Sequence, residues 1–321
     1  MSSTLYIMPA LTRIGAHDSI GRKHHRDREE GEQMHFVEAK TLLSGRNGMN
    51  LYRGCTHGCV YCDSRSACYR FTHPFEDIEV KQNAPALLES ALRSRRKKVV
   101  ISTGSMSDPY QPCERELRLT RRCLELIEQY GFGASVITKS DLVLRDLELF
   151  DRINRNTKSV LQMTLTIADD TLSRVLEPNV CPTTRRYEVL KEFQRQRIPT
   201  VVWMTPLLPF LTDTRENVRR ILDWCFDAGV KGIVCFNAGV TLREGDREYF
   251  YRALDRHFPG LSDQYRKTYG SAYEVNSPDQ EALMRLFHTE CEKRGVLHDP
   301  DACFRYIADI PEREEQLSLF G

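Results

Sequence analysis

From about residue 48 onward, short apolar runs alternate with segments whose apolar positions recur every three or four residues. Residues 99–103 (VVIST), 134–138 (ASVIT), 160–166 (VLQMTLT), 200–204 (TVVWM) and 232–236 (GIVCF) are compact runs rich in β-branched side chains. The first stops at Gly104, the fourth at Thr205-Pro206 and the fifth at Asn237. Between them, 114–130, 141–154, 183–196 and 214–228 read as amphipathic helices. With a further strand near 49–52, the pattern predicts six strand-then-helix units. Near-continuous apolar strands alternating with helices indicate an α/β fold, a parallel sheet covered by helices. The periodicity fits a doubly wound sheet and a full or partial barrel equally well. In either, chemistry belongs at the C-terminal ends of the strands. Those ends are rich in polar residues, among them Thr103, Ser105, Thr138, Lys139, Ser140, Thr164, Thr166, Thr205 and Asn237.

Residues 1–47 read as an N-terminal extension. Within it, 17–31 (HDSIGRKHHRDREEG) is charged and nearly free of apolar residues, so it is expected to be mobile. His24 and His25 there read as part of a solvated loop in preference to a metal site. No repeat of fixed period is present.

Lys and Arg number 46 against 45 Asp and Glu, a net charge of +1 that singles out no nucleic-acid partner. The run 93–98 (RSRRKK) and the set Arg115, Arg118, Arg121 and Arg122 read first as solvated helix faces and second as phosphate contacts. Mean hydropathy is −0.48, and no apolar run approaches the roughly 20 residues needed to span a bilayer. The N-terminus lacks a basic segment followed by an apolar stretch, so a cytoplasmic location without membrane attachment is expected.

The chain has 11 cysteines, many for a compartment where disulfides are rare. Most stand singly and read as small buried hydrophobes. Cys55, Cys59 and Cys62 are clustered as C-x3-C-x2-C, directly after the first expected strand. A [4Fe–4S] cube normally takes four thiolates, and three closely spaced ligands suggest one iron left open for catalysis. Gly54 and Gly58 let the loop wrap around a bulky group. The competing reading is a zinc site with His57 or Cys68 as fourth ligand, although no second CxxC is present.

C-x3-C-x-aromatic-C, with Tyr61 as the aromatic, resembles the signature of the radical S-adenosylmethionine (SAM) superfamily. The resemblance implies a partial (β/α)6 TIM-type barrel over roughly 48–240, followed by a C-terminal helical extension over 241–310 and a tail over 311–321. It also implies a [4Fe–4S] cluster and SAM as cofactors, and reductive cleavage of SAM to methionine and a 5′-deoxyadenosyl radical. An electron donor such as flavodoxin or ferredoxin would then be a partner. The cofactor carries the difficult chemistry, and the protein orients it.

Tyr52-Arg53-Gly54-Cys55, Ser107-Asp108-Pro109-Tyr110-Gln111-Pro112 and the stretch from Phe258-Pro259-Gly260-Leu261 to Tyr269-Gly270 are similar to the spore photoproduct lyase-like branch. That likeness implies Lys139 near SAM, with Thr164 and Thr166 beside it. Tyr61 and Ser105 complete the expected cofactor-side set. Ser105 falls where the lyase carries the cysteine that returns a hydrogen atom to its product. A serine O–H bond is too strong for that task, so Cys113 and Tyr110 become the candidate donors, and photoproduct lyase activity is not assigned. The Asp108–Pro112 segment would also read as a plain proline-punctuated turn.

At the C-terminus, Gln316, Leu317, Leu319 and Phe320 follow an acidic segment and resemble the peptide by which bacterial proteins bind the DNA polymerase sliding clamp. The rival role is a tail that folds back over the open side of the barrel. Three functions compete: radical SAM chemistry on DNA, in repair or base modification; the same chemistry on RNA, a peptide or a metabolite; and a non-catalytic, clamp-associated iron–sulfur protein.

Overall fold

The computed structural model describes residues 33–311. The described residues open with β1 (Met34–Val37), β2 (Gly48–Met49), β3 (Tyr52–Arg53) and β4 (Ile78–Lys81). β4 pairs in parallel with β1 and antiparallel to β3, forming a small sheet. β2 belongs instead to a six-stranded sheet with β5 (Val100–Thr103), β6 (Gly133–Thr138), β7 (Ser159–Thr164), β8 (Thr200–Trp203) and β9 (Gly232–Val234). All its pairings are parallel, and the strands stand in chain order with β2 and β9 at the edges.

Parallel neighbours need crossovers, and helices supply them. These are α1 (Ala84–Ser94), α2 (Glu114–Leu117) with α3 (Leu119–Gln129), α4 (Leu147–Asn156), α5 (Asp170–Leu176) with α6 (Thr183–Arg195), and α7 (Arg215–Asp227). The architecture is the expected open six-stranded (β/α) barrel. After β9 come the antiparallel pair β10 (Gly239–Thr241) and β11 (Glu274–Asn276), separated by α8 (Asp246–His257) and α9 (Leu261–Tyr269). The chain then continues through α10 (Gln280–Arg294) and α11 (Pro300–Ala308).

Side chains alternate across each strand. One set, including Ala134, Val136, Leu161, Met163, Val202 and Ile233, packs on helix residues such as Leu124, Ile127, Phe150 and Phe193 to form the main core. The other set faces the barrel interior in layers. Val160, Val201 and Val234 form a floor closed by Cys303 and Ile307 of α11. Above it, buried Gln162 donates to Ser135 Oγ at 2.7 Å and accepts from Trp203 Nε1 at 2.8 Å. Above that polar layer the interior opens. α11 thus closes the barrel's inner face.

Three expected elements differ in detail. The strand near 49–52 is two short strands in different sheets. The helix over 114–130 breaks at Arg118, where φ is 49°. Glu114 makes the break stable: its buried carboxylate accepts the Thr120 and Arg121 amides at 3.0 and 3.4 Å, satisfying N–H groups in the first turn of α3 that have no partner within the helix. The helix over 141–154 starts with a tighter turn over Asp141–Asp146 before α4. Within the expected extension 1–47, residues 34–37 form β1. Arg121 is held by Glu125, Asp146 and Glu148, and Arg93 by Glu89, which gives these basic positions helix-face ion-pair roles. No helix of the described residues is long and apolar enough to cross a membrane.

Because Ile307 fills the floor and is only 5% exposed, Ile307→Ala should destabilise the protein by about 2–5 kcal/mol. Urea unfolding checks this, and a loss under 1 kcal/mol would place α11 outside the cooperative core.

Candidate functional site

β3 carries the chain into the loop 54–62 at the C-terminal mouth of the six-stranded sheet. There a cavity of about 560 Å³ is lined by Cys59, Tyr61, Cys62, Lys139, Thr164 and Trp203, among others. Gly54 is required at the loop's entry. Its φ is 89°, and a Cβ there would meet the Phe75 carbonyl oxygen at 2.4 Å. The same oxygen accepts the Cys55 amide at 3.2 Å.

The segment 107–111 backs the loop and is more than a turn. Ser107 Oγ donates to the Tyr52 carbonyl at 2.8 Å, and the Thr56 amide donates to Gln111 Oε1 at 3.2 Å. Asp108 lies between them. Its carboxylate accepts from the Tyr110 amide, Thr138 Oγ1 and the Lys139 amide at 2.8, 2.7 and 2.8 Å, and stands 3.3 Å from His57 Nδ1. One side chain therefore ties the cysteine loop to the end of β6.

A second buried network holds Tyr61. Its hydroxyl donates to Glu177, which also pairs with Arg186; both ions are fully buried. Arg186 further donates to the Thr164 carbonyl at 2.8 Å and to Ser173 and Thr183 at 3.1 Å each. Such a pair contributes little net stability but is costly to break.

Burial opposes charge throughout the loop, and two cations counter it. Burial alone would raise the Cys55 thiol, yet His57 beside it brings it below its ordinary value. Burial would lower His57, but Asp108 and Cys55 raise it to about 10. Burial raises Cys59 and Cys62, with Lys139 acting to lower both. Lys139 would itself be lowered by burial, but Cys59 and Glu177 raise it. Its ammonium stands 5.8 Å from the Tyr61 ring centre.

The donor set suits an iron–sulfur cluster better than a single ion. Among the described residues, the His/Cys/Asp/Glu trio whose ligand atoms lie within 4.8 Å of one another is His35, His73 and Glu79. The three cysteine sulfurs are therefore spread more widely. A tetrahedral zinc about 2.3 Å from each sulfur would hold them roughly 3.8 Å apart. His57 is engaged by Asp108, and exposed Cys68 accepts from Arg243 at 3.4 Å.

Of the expected cofactor-side residues, Tyr61, Ser105, Lys139 and Thr164 line the cavity with Cys59 and Cys62. Thr166 does not; it is buried, and its carbonyl accepts from Asn217 at 2.9 Å. The two hydrogen-donor candidates are also not brought to the cavity. Tyr110 is 1% exposed with its hydroxyl donating to Asp146 at 3.0 Å, and Cys113 is 4% exposed in the main core. Both follow Asp108 closely, but their side chains are buried away from the cavity. Gln316, Leu317, Leu319, Phe320, His24 and His25 lie outside the described residues. The sequence reading missed Glu177 and Arg186, whose pairing is tertiary. It also missed Trp203 and Phe236, which lie in or just beyond apolar strands yet face the cavity.

Residues 49–225 match the radical SAM superfamily. An uncharacterised protein of Mycobacterium tuberculosis (strain ATCC 25618 / H37Rv) is 28% identical over 277 residues, covering 82% of this chain and 80% of that protein. An uncharacterised protein of Methanocaldococcus jannaschii is 32% identical over 169 residues, covering 51% and 61%. Among solved structures, spore photoproduct lyase complexed with dinucleoside spore photoproduct is similar, with a TM-score of 0.59 and 13% identity, covering 83% of this chain and 81% of that one. A double mutant of that lyase with bound AdoMet and dinucleoside spore photoproduct gives a TM-score of 0.56 at 14% identity, covering 78% and 74%. At these identities the likeness concerns the fold.

Glu177→Gln should leave Arg186 buried without a counter-charge and cost about 3–5 kcal/mol in urea unfolding at neutral pH. Burial works to raise Glu177, but Arg186 and Lys139 hold it below the usual carboxylate range. Its contribution is therefore full above the unfolded carboxylate pKa and is lost as pH falls through the depressed folded value. The wild type should lose stability along that acid limb and the variant should lose less; equal slopes would exclude Glu177 as the source.

Proposed function

The chain belongs to the radical SAM superfamily, and from that premise we propose that it is an enzyme acting on a nucleobase of DNA, in repair or base modification. Proteins of this superfamily bind a [4Fe–4S] cluster and SAM. Here Cys55, Cys59 and Cys62 would ligate the cluster, which with SAM supplies one-electron reductive cleavage of the sulfonium when bound, fed by a donor of the flavodoxin or ferredoxin class.

The observation that carries the substrate reading is an aromatic wall on the cavity. Trp203 and Phe236 line it, and Phe304 of α11 stands beside them. Ring centres are 6.1 Å apart for Trp203–Phe236, 5.8 Å for Trp203–Phe304 and 6.3 Å for Phe236–Phe304. Phe236 is 54% and Phe304 37% exposed. Base–aromatic stacking contributes about 1–3 kcal/mol per base. Spore photoproduct lyase, which is similar in fold, was solved complexed with dinucleoside spore photoproduct, which supports a base as the substrate. Lys139 supplies a fixed cation for a carboxylate, and the Thr164 carbonyl is held rigid by Arg186. Ser105 at the cavity argues for a reaction other than hydrogen return by a thiol at that position.

Recruitment to DNA would come from the tail. Pro311, the last described residue, lines a groove with Lys158, Thr200 and Lys231 at the N-terminal ends of β7, β8 and β9. Pro311 thus stands at the end of the barrel opposite the cavity.

Anaerobically reconstituted protein should hold about four irons and four sulfides, and replacing Cys55, Cys59 or Cys62 with Ala should abolish them. The reduced protein should release 5′-deoxyadenosine slowly alone and faster with damaged DNA. Lys139→Ala should weaken SAM binding at unchanged iron content. Phe236→Ala with Phe304→Ala should remove the DNA stimulation and spare the slow background. Stimulation by RNA, a peptide or a metabolite in place of DNA would overturn the substrate reading, and stoichiometric zinc in place of iron would overturn the chemistry.

A peptide burying two leucines and a phenylalanine gains roughly 1.5–3 kcal/mol for each. Ordering five or six residues offsets much of that, leaving about micromolar affinity for the clamp. Leu319→Ala with Phe320→Ala should eliminate clamp pull-down while iron content, SAM cleavage and Tm stay the same. A large fall in Tm would instead make the tail part of the fold.

A further inference from the structure

On the small sheet, outside the cavity, His35 of β1, His73 of the loop before β4 and Glu79 of β4 bring their ligand atoms within 4.8 Å of one another. We propose that these three side chains form a binding site for a divalent transition metal of the zinc class, separate from the cysteine loop. Its role is to fix the strap on which that loop rests.

The hydrogen bonding carries the argument. His73 Nδ1 lies 3.0 Å from the Pro74 carbonyl oxygen, which can only accept, so Nδ1 must carry the proton. In the neutral ring this leaves Nε2 as a bare lone pair. That atom is buried with no hydrogen-bond partner, and it faces Glu79 Oε2 at 3.7 Å. Two acceptors facing each other repel unless a cation lies between them. A proton on Nε2 would not bridge a gap of that length as a hydrogen bond. A metal about 2.0–2.2 Å from each donor would bridge it with a small inward movement.

His35 completes the set. Its Nδ1 is bonded to Asp77 Oδ1 at 3.0 Å, which leaves Nε2 as the ligand atom. Both histidines thus have the ring nitrogen opposite the metal already anchored, one by a carboxylate and one by a backbone carbonyl, as metal-bound imidazoles characteristically do. Their rings meet edge to face with centres 4.8 Å apart. Two imidazoles and one carboxylate favour zinc or a neighbouring transition metal over calcium or magnesium, with water in the fourth position. Arg53 is the competing cation, 3.7 Å from Glu79 Oε2, but its guanidinium is held by the Tyr69 and Arg70 carbonyls at 2.8 and 3.0 Å.

His73 and Asp77 flank Phe75, whose carbonyl accepts the Cys55 amide and crowds Gly54. A metal joining β1, this loop and β4 would pin that carbonyl, so the three ligands act as positioning residues for the cysteine loop.

The test uses the full chain with Cys55, Cys59 and Cys62 replaced by Ala, so that loss of the cluster cannot be confused with loss of this site. Titrated with Zn²⁺ against a chromophoric chelator at neutral pH, it should take up one equivalent and gain several degrees in Tm. His73→Gln and His35→Gln should each abolish that equivalent and the Tm gain, with unchanged circular dichroism. Asp77→Asn should weaken zinc about 10–100-fold while keeping the stoichiometry. In the cluster-loaded protein, elemental analysis should find one zinc beside the iron. Zinc uptake that is the same in the two histidine variants, or no uptake by the parent chain, would overturn the proposal.

Discussion

The carboxylate of Asp108 is the constraint on which the site depends. It is nearly buried, and its oxygens face groups from three directions: its own turn through Tyr110, the end of β6 through Thr138 and Lys139, and the cysteine loop through His57. An ionised carboxylate taken from water needs this many partners to remain charged. In satisfying itself it sets the position of Lys139 relative to Cys59 and Cys62. The geometry of the cysteine loop is therefore a property of the barrel, transmitted through one side chain. Tyr61 is fixed in the same manner from the opposite side, through Glu177 and Arg186.

The barrel's interior explains where the cavity begins and ends. Alternation along parallel strands stacks an apolar layer of valines, a hydrogen-bonded layer of Ser135, Gln162 and Trp203, and then open space. The polar layer is satisfied within itself, so it can lie beneath an active site without recruiting water or substrate. Trp203 belongs to both sides of that boundary, with its indole nitrogen fixed below and its ring offered above.

What was legible in the chain follows from the range of the interactions involved. The central strands are buried on both faces, so their runs are nearly continuous and stand out from the helices between them. β2 and β3 have two residues each, too short for any period to register, and β1 (MHFV) lies in polar surroundings. Cys55, Cys59 and Cys62 were readable because they stand close together in the sequence on one loop. Glu177 and Arg186 were not, since nothing local distinguishes a glutamate before a proline or an arginine on a helix until the fold brings them together. The proximity of Tyr110 and Cys113 to Asp108 was misleading for the converse reason: neighbours in sequence point to opposite sides of a turn.

The placement of α11 bears on the order in which the molecule is assembled. The floor of the barrel is built from strands made midway through synthesis, yet its plug, Cys303 and Ile307, is made nearly last. Until those residues leave the ribosome, Val160, Val201 and Val234 lack the side chains that cover them in the folded protein. Contacts of such long sequence separation form late, and exposed apolar strands are what chaperones hold. The cysteine loop, by contrast, is made early. The nascent chain thus displays its thiols well before the barrel that shelters them is complete, which makes cluster delivery a problem of timing as well as of affinity.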